Sequence, residues 1–297
     1  MQSDNARGAV LMMAGMAAFT VSDSIMKLLS TQLPMFQTLV WRGLAVSVVL
    51  ALMAWRAGAF QVSVTRHDRV LVLLRTLCDT ASTWFFLQAL YHMPIANLTA
   101  IMQALPLTVT LGGALFLGET VGWRRLLAIG VGFFGVLLIV RPDAEGFDLY
   151  AVYALLCVVL VTTRDLLTRR MTRAVPTLLI ALANSVAVTL FGAVGTLGES
   201  LVLPTSHGFA LLAGTSGFIV AGYLLTVMAV RTGELSFVTP FRYTGLIWAL
   251  IAGLVLFAEW PDPVTFAGAV LIVGTGLFSF YRERQLRAAK SRAPARR

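Results

Sequence analysis

The sequence predicts an all-α polytopic membrane protein, with ten transmembrane helices arranged as two inverted five-helix repeats. Three observations predict this class: the composition, the length of the apolar runs, and a pattern that recurs about 140 residues apart. Hydrophobic residues make up 58% of the 297 residues and charged residues only 12%, against about 25% charged in a soluble domain. With so few charges, most of the surface is expected to face lipid.

Ten apolar runs are long enough to cross a bilayer, which requires a helix of about 20 mostly apolar residues. Helices satisfy their backbone polar groups internally, and these runs lack the period-two alternation of barrel strands. The connections are short, so no soluble domain is inserted, and the first run is expected to be retained as a span. The predicted spans, one to ten, are 8–29, 35–55, 70–91, 95–117, 123–141, 147–167, 176–197, 208–229, 235–257 and 263–281.

Arginines in the short loops predict the orientation, because cytoplasmic loops carry an excess of Lys and Arg. With the N-terminus inside, the inner loops hold nine arginines, whereas the outer loops hold Arg141, with Lys27 near an outer helix end. The acidic group Asp143, Glu145 and Asp148 then lies outside, and both termini are expected in the cytoplasm. The inner arginines are Arg56, Arg66, Arg69, Arg124, Arg125, Arg169, Arg170, Arg173 and Arg231.

The formal charge of +9 does not predict nucleic-acid binding, because the basic residues lie in short loops and a tail between apolar runs. Cys78 and Cys157 both fall inside apolar runs, so neither a disulfide framework nor a zinc site is expected. No clustered metal ligands and no cofactor motif occur. The expected partners are membrane lipid and a small molecule, and a homodimer is left open.

Two short patterns recur at nearly the same offset. Asp23 and Lys27 stand four residues apart, as do Asp165 and Arg169, at an offset of 142. Span four closes on Glu119 and span nine on Glu259, at an offset of 140.

These offsets predict a first repeat at 1–142, a second at 147–283 and a basic cytoplasmic tail at 284–297. Because each repeat has five spans, the second enters the membrane upside down relative to the first. Secondary transporters recurrently use such inverted repeats, with the substrate site near the midplane between them.

Charged side chains inside the predicted spans are the first candidates for a site, because each costs about 2.5–3.5 kcal/mol at a helix centre. Arg75 and Asp79 lie four residues apart on one face of span three. The equivalent stretch of span eight carries no charge, which favours a role in ligand binding over one in the scaffold. Asp23 with Lys27, and Asp165 with Arg169, are interpreted chiefly as internal neutralisation. Asp23 and Asp79 are also candidates for proton coupling, since burial shifts the pKa of a carboxyl group.

Arg42 in span two and Arg242 in span nine have no acidic residue nearby in sequence. Each guanidinium group needs a hydrogen-bond acceptor, which can be a backbone carbonyl at a helix end, a carboxylate from another span, or the substrate. Snorkelling to the membrane interface is the structural alternative. Arg242 follows Pro240, which lacks an N–H and frees a carbonyl one turn back, so a broken and polar span nine is expected to line a cavity.

Aromatic and amide side chains accompany these charges and complete the predicted substrate site. Trp84, Gln103, Tyr243 and Trp248 are the candidates, and Gln103 and Tyr243 occupy positions 140 apart, matched in the two repeats. A flat, partly apolar ligand with polar edges suits such a lining. The arginines favour a ligand that carries a carboxylate, a phosphate or an electron-rich carbonyl.

Two motifs that suggest chemistry do not fit their context. Gly130, Gly132 and Gly135 match G-x-G-x-x-G but lie inside span five without a preceding strand, so they are expected to permit close helix packing. Ser216 in Gly-Thr-Ser-Gly resembles a serine nucleophile, but no general base accompanies it. A membrane-embedded enzyme is therefore the disfavoured alternative, and no catalytic residue is predicted.

Several of these segments together resemble a known family. Residues 96–142 carry Pro106, the glutamate that closes span four, and the glycine motif ending in Arg141-Pro142; residues 240–263 form a similar unit, except that Leu246 stands where a second proline is expected. The chain resembles the EamA-type branch of the drug/metabolite transporter superfamily. The resemblance implies alternating access in a bacterial inner membrane. It points to uptake of a vitamin or cofactor such as riboflavin or S-adenosylmethionine, with export of amino acids as the alternative.

Together the residues and the resemblance predict a secondary transporter with a cavity between spans one to four and six to nine. Its expected ligand contacts are Arg75, Asp79, Arg242, Gln103, Tyr243, Arg42, Trp84 and Trp248.

Overall fold

The computed structural model describes residues 2–119, 121–141, 148–172 and 174–292. Within those ranges the chain is built from α-helices and short 3-10 turns, and ten helices are long and apolar enough to cross a membrane. The predicted all-α class and the number of spans are confirmed for this part of the chain. Pro142, Asp143, Glu145, Arg173 and the last five residues of the predicted tail lie outside the described residues.

The helices follow the predicted runs closely, and the span numbers are kept below. The α-helices are Gln2–Leu29, Met35–Arg56, Arg66–His92, Ile95–Met102, Leu105–Phe116, Trp123–Val140, Leu149–Arg170, Thr177–Gly195, Ser206–Thr232, Leu235–Val238, Thr244–Phe257 and Pro263–Arg292, with 3-10 turns at Ala59–Gln61, Thr196–Gly198 and Thr239–Tyr243.

Several helices extend beyond their predicted bounds, among them spans one, three, eight and ten. Span three begins at Arg66 rather than 70, because Thr65 caps it by accepting a hydrogen bond of 3.1 Å from the Asp68 backbone N–H. Such a cap satisfies one of the unpaired donors at a helix start. Span ten continues to Arg292, so the segment predicted as a tail from 284 begins as helix.

Spans four and nine are each broken in the middle. Span four turns at Gln103 and Ala104, just before Pro106, and span nine passes through the 3-10 turn Thr239–Tyr243, which contains Pro240. A proline cannot donate the helical hydrogen bond and crowds the preceding turn. The break at Pro240 was predicted; the break in span four was not, although the predicted bounds of that span, 95–117, agree with the observed Ile95–Phe116.

Spans five and ten pack at a close crossing built on glycine. A Cβ atom placed on Gly135 would lie 2.8 Å from the carbonyl oxygen of Gly268, and one placed on Gly268 would lie 2.6 Å from that of Gly135. A Cβ atom placed on Gly132 would lie 2.9 Å from the Thr275 hydroxyl of span ten and would also clash with the Leu107 side chain of span four. The packing role predicted for the glycine motif therefore holds for Gly132 and Gly135, while Gly130 faces open space.

The helices group into two compact units. The first consists of Met1–Ala17, Pro94–Leu149 and Leu224–Arg297; the second consists of Ala18–Met93 and Tyr150–Tyr223. The first unit contains spans four, five, nine and ten, and within it four packs on nine and five on ten. The second contains spans two, three, six and seven, and within it span seven packs on spans two and three. Each unit draws helices from both predicted repeats.

Candidate functional site

The second unit encloses a cavity of about 370 Å³, which falls in the range of small-molecule sites, roughly 300–1,000 Å³. Its charged lining consists of Arg42, Arg75, Asp79 and Arg164. Hydroxyl and amide groups and apolar side chains complete the wall, the polar ones being Thr83, Asn184, Ser185 and Tyr223. The lining therefore carries three guanidinium groups and one carboxylate.

Asp79 lies between two of these arginines. Its Oδ1 atom is 2.6 Å from Nη1 of Arg164, a strong ionic hydrogen bond, and its Oδ2 atom is 3.6 Å from Nη1 of Arg75. The second distance is an ionic contact but exceeds hydrogen-bond length. Arg75 is four residues earlier on the same helix, as predicted, whereas Arg164 reaches in from span six.

Span six provides hydrogen-bond acceptors to both arginines, at nitrogen atoms other than the Nη1 atoms that face Asp79. Arg75 donates from Nε to the Thr168 hydroxyl at 3.1 Å, and Arg164 donates from Nε to Oδ1 of Asp165 at 3.0 Å. The Nη2 atom of Arg164 is also 3.0 Å from that oxygen. The charge contact that the structure gives Asp165 is thus with its neighbour Arg164, and the predicted pairing with Arg169 stays a prediction.

Spans three and six share a polar seam that extends beyond this cluster, and we call these contacts the three–six seam. At one end Asp68, only 1% exposed, accepts hydrogen bonds from the Thr172 backbone N–H at 3.0 Å and from its hydroxyl at 2.8 Å. The Arg75–Thr168 and Asp79–Arg164 contacts follow along the same pair of helices. The seam fixes the two helices that supply the cavity with Arg75, Asp79 and Arg164.

Arg42 finds its counter-charge in another span. The charged and polar groups that act on its guanidinium are Asp23 of span one and the Tyr91 hydroxyl. Lys27 donates from Nζ to the carbonyl oxygen of Met93 at 2.8 Å. Asp23 therefore acts on Arg42 as a charge from another span, and the hydrogen-bond acceptor expected for Arg42 stays a prediction.

Trp84 lies next to Thr83 in sequence but belongs to an aromatic cluster rather than to the cavity lining. Its ring centroid is 4.9 Å from that of Phe85 and 5.5 Å from that of Tyr153, in edge-on and tilted arrangements. Tyr150 extends the cluster toward a stacked contact with His92, at 4.1 Å between centroids. This geometry is that of a packed aromatic core.

The remaining predicted residues gather in the first unit, at the breaks of spans four and nine. Gln103 donates from Nε2 to the carbonyl oxygens of Arg242 and Tyr243, each at 3.4 Å. Trp248 donates from Nε1 to the Met13 carbonyl at 3.2 Å, and Tyr243 is only 6% exposed. The structure thus brings Arg42, Arg75 and Asp79 into one cavity. It joins Gln103 to the backbone of Arg242 and Tyr243 at the two helix breaks, and it gives Trp248 a separate contact with span one.

Arg164 is the charged cavity residue that sequence reasoning missed, and the predicted ligand contacts also missed the polar lining residues Thr83, Asn184, Ser185 and Tyr223. Arg164 lies inside predicted span six directly before Asp165, so its position at membrane depth was the available signal. Its cavity partner stands 85 residues earlier in the chain, and no spacing rule connects the two. Within the described ranges, no group of three or more His, Cys, Asp or Glu side chains could hold a metal ion.

Comparisons with known proteins agree with this architecture. Residues 6–141 match the EamA-like transporter family. One solved crystal structure aligns with 94% of this chain and with 98% of its own chain, at a TM-score of 0.63 and 18% sequence identity. At that identity the similarity concerns the fold alone.

Curated relatives align over most of the chain. An S-adenosylmethionine uptake transporter of Rickettsia conorii is 26% identical, over 90% of both chains. The pseudopaline exporter CntI of Pseudomonas aeruginosa is 26% identical, over 90% of this chain and 93% of the relative. A riboflavin transporter of Rhizobium johnstonii is 29% identical, over 75% of this chain and 72% of the relative. The relatives are transporters rather than enzymes, and the resemblance expected from the sequence is confirmed: the chain is a multi-pass secondary transporter of small metabolites, and its residues 6–141 match the EamA-like transporter family.

Proposed function

We propose that this transporter takes up an amino-acid-derived metabolite with a free carboxylate, and that S-adenosylmethionine is the first candidate. The observation that carries the proposal is the lining of the second-unit cavity, where Arg42, Arg75 and Arg164 face the same space as Asp79. Arginine is the residue best suited to carboxylate recognition, because its planar donors match the two carboxylate oxygens. S-adenosylmethionine carries a carboxylate, an ammonium and a sulfonium group.

Riboflavin is the second candidate, because some relatives are riboflavin transporters and the Tyr223 side chain lines the cavity. Riboflavin is uncharged, so it would leave the cavity arginines without an anionic ligand. The arginines would keep their own carboxylate partners, but they would form no ionic hydrogen bond with riboflavin, and such bonds are stronger than neutral ones. This consideration places riboflavin behind a carboxylate-bearing metabolite.

The test is transport by purified protein in liposomes. Labelled S-adenosylmethionine should accumulate inside chemically unchanged, and Arg164→Gln should reduce the initial rate at least tenfold, about 1.4 kcal/mol, because it removes a cavity guanidinium. Arg141→Gln is the matched control, since it also removes an arginine from an Arg–Asp pair, but the Arg141 side chain is 48% exposed, belongs to the first unit and is not part of the cavity lining. The control should stay within twofold of wild type.

The outcomes separate the candidates. Transport of riboflavin without S-adenosylmethionine would establish the second candidate and refute the first. Equal rates for wild type and Arg164→Gln would show that the cavity is not the transport site. Uptake and efflux assays in whole cells then decide the direction, because export is the alternative and the exporter CntI is also a relative.

We also propose that the two halves are inverted repeats with both termini in the cytoplasm of a bacterial inner membrane. The packing of span two on seven, four on nine and five on ten supports this, because each pair joins equivalent positions of the two halves. The excess of loop arginines on one side supports the orientation. Reporter fusions at the two ends should both report the cytoplasm, and a split result would refute the repeat plan.

A further inference from the structure

We infer that the Arg75–Asp79–Arg164 cluster is a receptor for a zwitterion. The ligand carboxylate takes the place of Asp79 on the two guanidinium groups, while the ligand cation is held by Asp79. The inference rests on the proposed function and adds the ligand's binding mode: a carboxylate and a cation bound together, close to each other, as in an α-amino acid.

The first step is the way in which the arginines are anchored. Thr168 holds Arg75 at Nε, and Asp165 holds Arg164 at Nε and Nη2. The Nη1 atoms of both arginines remain directed at Asp79. Two guanidinium groups fixed from the same helix and directed at one carboxylate form a site of preset geometry for any carboxylate in the cavity.

The second step is that Asp79 fills this site incompletely. Nη1 of Arg75 is buried and lacks a hydrogen bond to the described residues, since the Asp79 oxygen is 3.6 Å away. A ligand carboxylate that bonds both Nη1 atoms would make two ionic hydrogen bonds where Asp79 makes one. The displacement therefore gains a bond at the guanidinium groups, and it releases Asp79 for another partner.

The third step is charge balance, which selects a zwitterion over a simple acid. The charged side chains that act on Arg75 are Asp79, Arg164 and Asp165, so two positive and two negative groups already balance. A simple anion would add an unbalanced charge to a largely buried cluster, which is costly. The zwitterionic α-amino-acid group of a ligand adds no net charge to the cluster, because its ammonium pairs with the released Asp79; the sulfonium of S-adenosylmethionine is not part of that group.

A further acceptor in the same cavity is ready for the ligand. The side-chain oxygen of Asn184 is buried and has no hydrogen-bond partner among the described residues, and Asn184 lines the cavity with Asp79. Buried acceptors without a partner are unusual and call for an explanation. An N–H group of the ligand would satisfy this oxygen.

The test compares ligands edited at one charge with receptor variants edited at the opposite charge. Three ligands compete with labelled S-adenosylmethionine: L-methionine, N-acetyl-L-methionine, which lacks the cation, and L-methionine methyl ester, which lacks the carboxylate. Their binding is also measured by ligand-induced thermal stabilisation. With wild type, each edit should weaken binding at least tenfold. In Asp79→Asn, N-acetylation should weaken binding less than threefold relative to L-methionine, while esterification should still weaken it at least tenfold. In Arg75→Gln, esterification should weaken binding less than threefold, while N-acetylation should still weaken it at least tenfold.

Two further variants keep the result interpretable. Asp79→Glu retains the carboxylate and should retain the N-acetyl penalty, which separates charge recognition from misfolding. Asp262→Asn removes a carboxylate from an exposed Arg–Asp pair in the other unit and should behave as wild type.

Penalties that are the same in wild type and Asp79→Asn would overturn the receptor. If the methionine series follows the expected pattern while S-adenosylmethionine is not transported, the receptor stands and only the proposed substrate falls. If S-adenosylmethionine is transported but the edits act independently of Asp79 and Arg75, the proposed function stands and this inference falls.

Discussion

Replacement of Gly268 by alanine is expected to separate spans five and ten. The new Cβ atom would lie 2.6 Å from the Gly135 carbonyl oxygen, 2.8 Å from Cγ1 of Ile139 and 3.3 Å from Cβ of Leu138. The nearest atom belongs to the backbone and cannot rotate away, so the helices must move apart by roughly 0.6–0.8 Å to restore a normal contact. Overpacking of this kind costs about 1–3 kcal/mol, which exceeds the gain of about 1 kcal/mol in helix propensity from glycine to alanine.

The assay is thermal unfolding of the purified protein, where Gly268→Ala should unfold roughly 2–5 °C below alanine controls that gain the same helix propensity without overpacking. Gly274→Ala on span ten and Gly130→Ala on span five are matched controls, because a Cβ atom at either position meets nothing within 4 Å. Both controls should unfold at the wild-type temperature or slightly above it. If Gly268→Ala unfolds together with its controls, the close glycine crossing is wrong.

Two other predictions concern the first unit. Gln103→Leu removes the donor that bonds the Arg242 and Tyr243 carbonyls, so it should lower stability by about 1 kcal/mol. Gln103→Glu should lower it at least as much, because an ionised carboxylate only accepts hydrogen bonds and would face two carbonyl oxygens. A wild-type unfolding temperature for both variants would refute this link. Burial raises the pKa of Asp262, but hydrogen bonds from Thr265, Arg141 and Val264 outweigh it and lower the pKa to about 2. Asp262 caps the start of span ten, and Asp262→Ala should lower stability by about 1 kcal/mol, as is usual for loss of a helix cap. Because the folded pKa of Asp262 lies below the unfolded value near 4, this stability difference should be constant above pH 4 and vanish as the pH falls toward 2. A difference that grows on acidification would contradict this assignment.

Much of the architecture could be predicted from the sequence because the bilayer imposes length and polarity on each element. Runs of about 20 apolar residues admit few structures besides spanning helices, and the break at Pro240 follows from a missing donor. The break in span four shows the limit, since it falls at Gln103 and Ala104 rather than at Pro106 itself. A proline tolerated in the first turn of a helix does not indicate where the preceding helix ends.

The site could be predicted only where its chemistry is local. Arg75 and Asp79 share one helix face at a spacing of four, so sequence alone indicates that they meet. Arg164 completes their cluster from a helix 85 residues away, and such a pairing depends on packing that no spacing encodes. Gln103 and Tyr243 were matched by the repeat and do contact each other through the Tyr243 carbonyl, but that contact joins two helix breaks outside the cavity lining.

On the proposed repeat, the cavity also shows how a duplicated scaffold acquires a polar site. Arg42 and Asn184 stand at equivalent positions, 142 residues apart, and both line the same cavity from spans two and seven. These two helices are joined around that point, because the Ser47 and Ser185 hydroxyls lie 2.9 Å apart and Ser185 also donates to the Gly43 carbonyl. Equivalent helices that pack on each other place equivalent positions next to the same cavity. Here one position carries a guanidinium group and the other an amide, so the cavity wall is asymmetric while the fold is unchanged. A ligand with a carboxylate at one end and a different polar group at the other fits such a wall better than one with two identical ends.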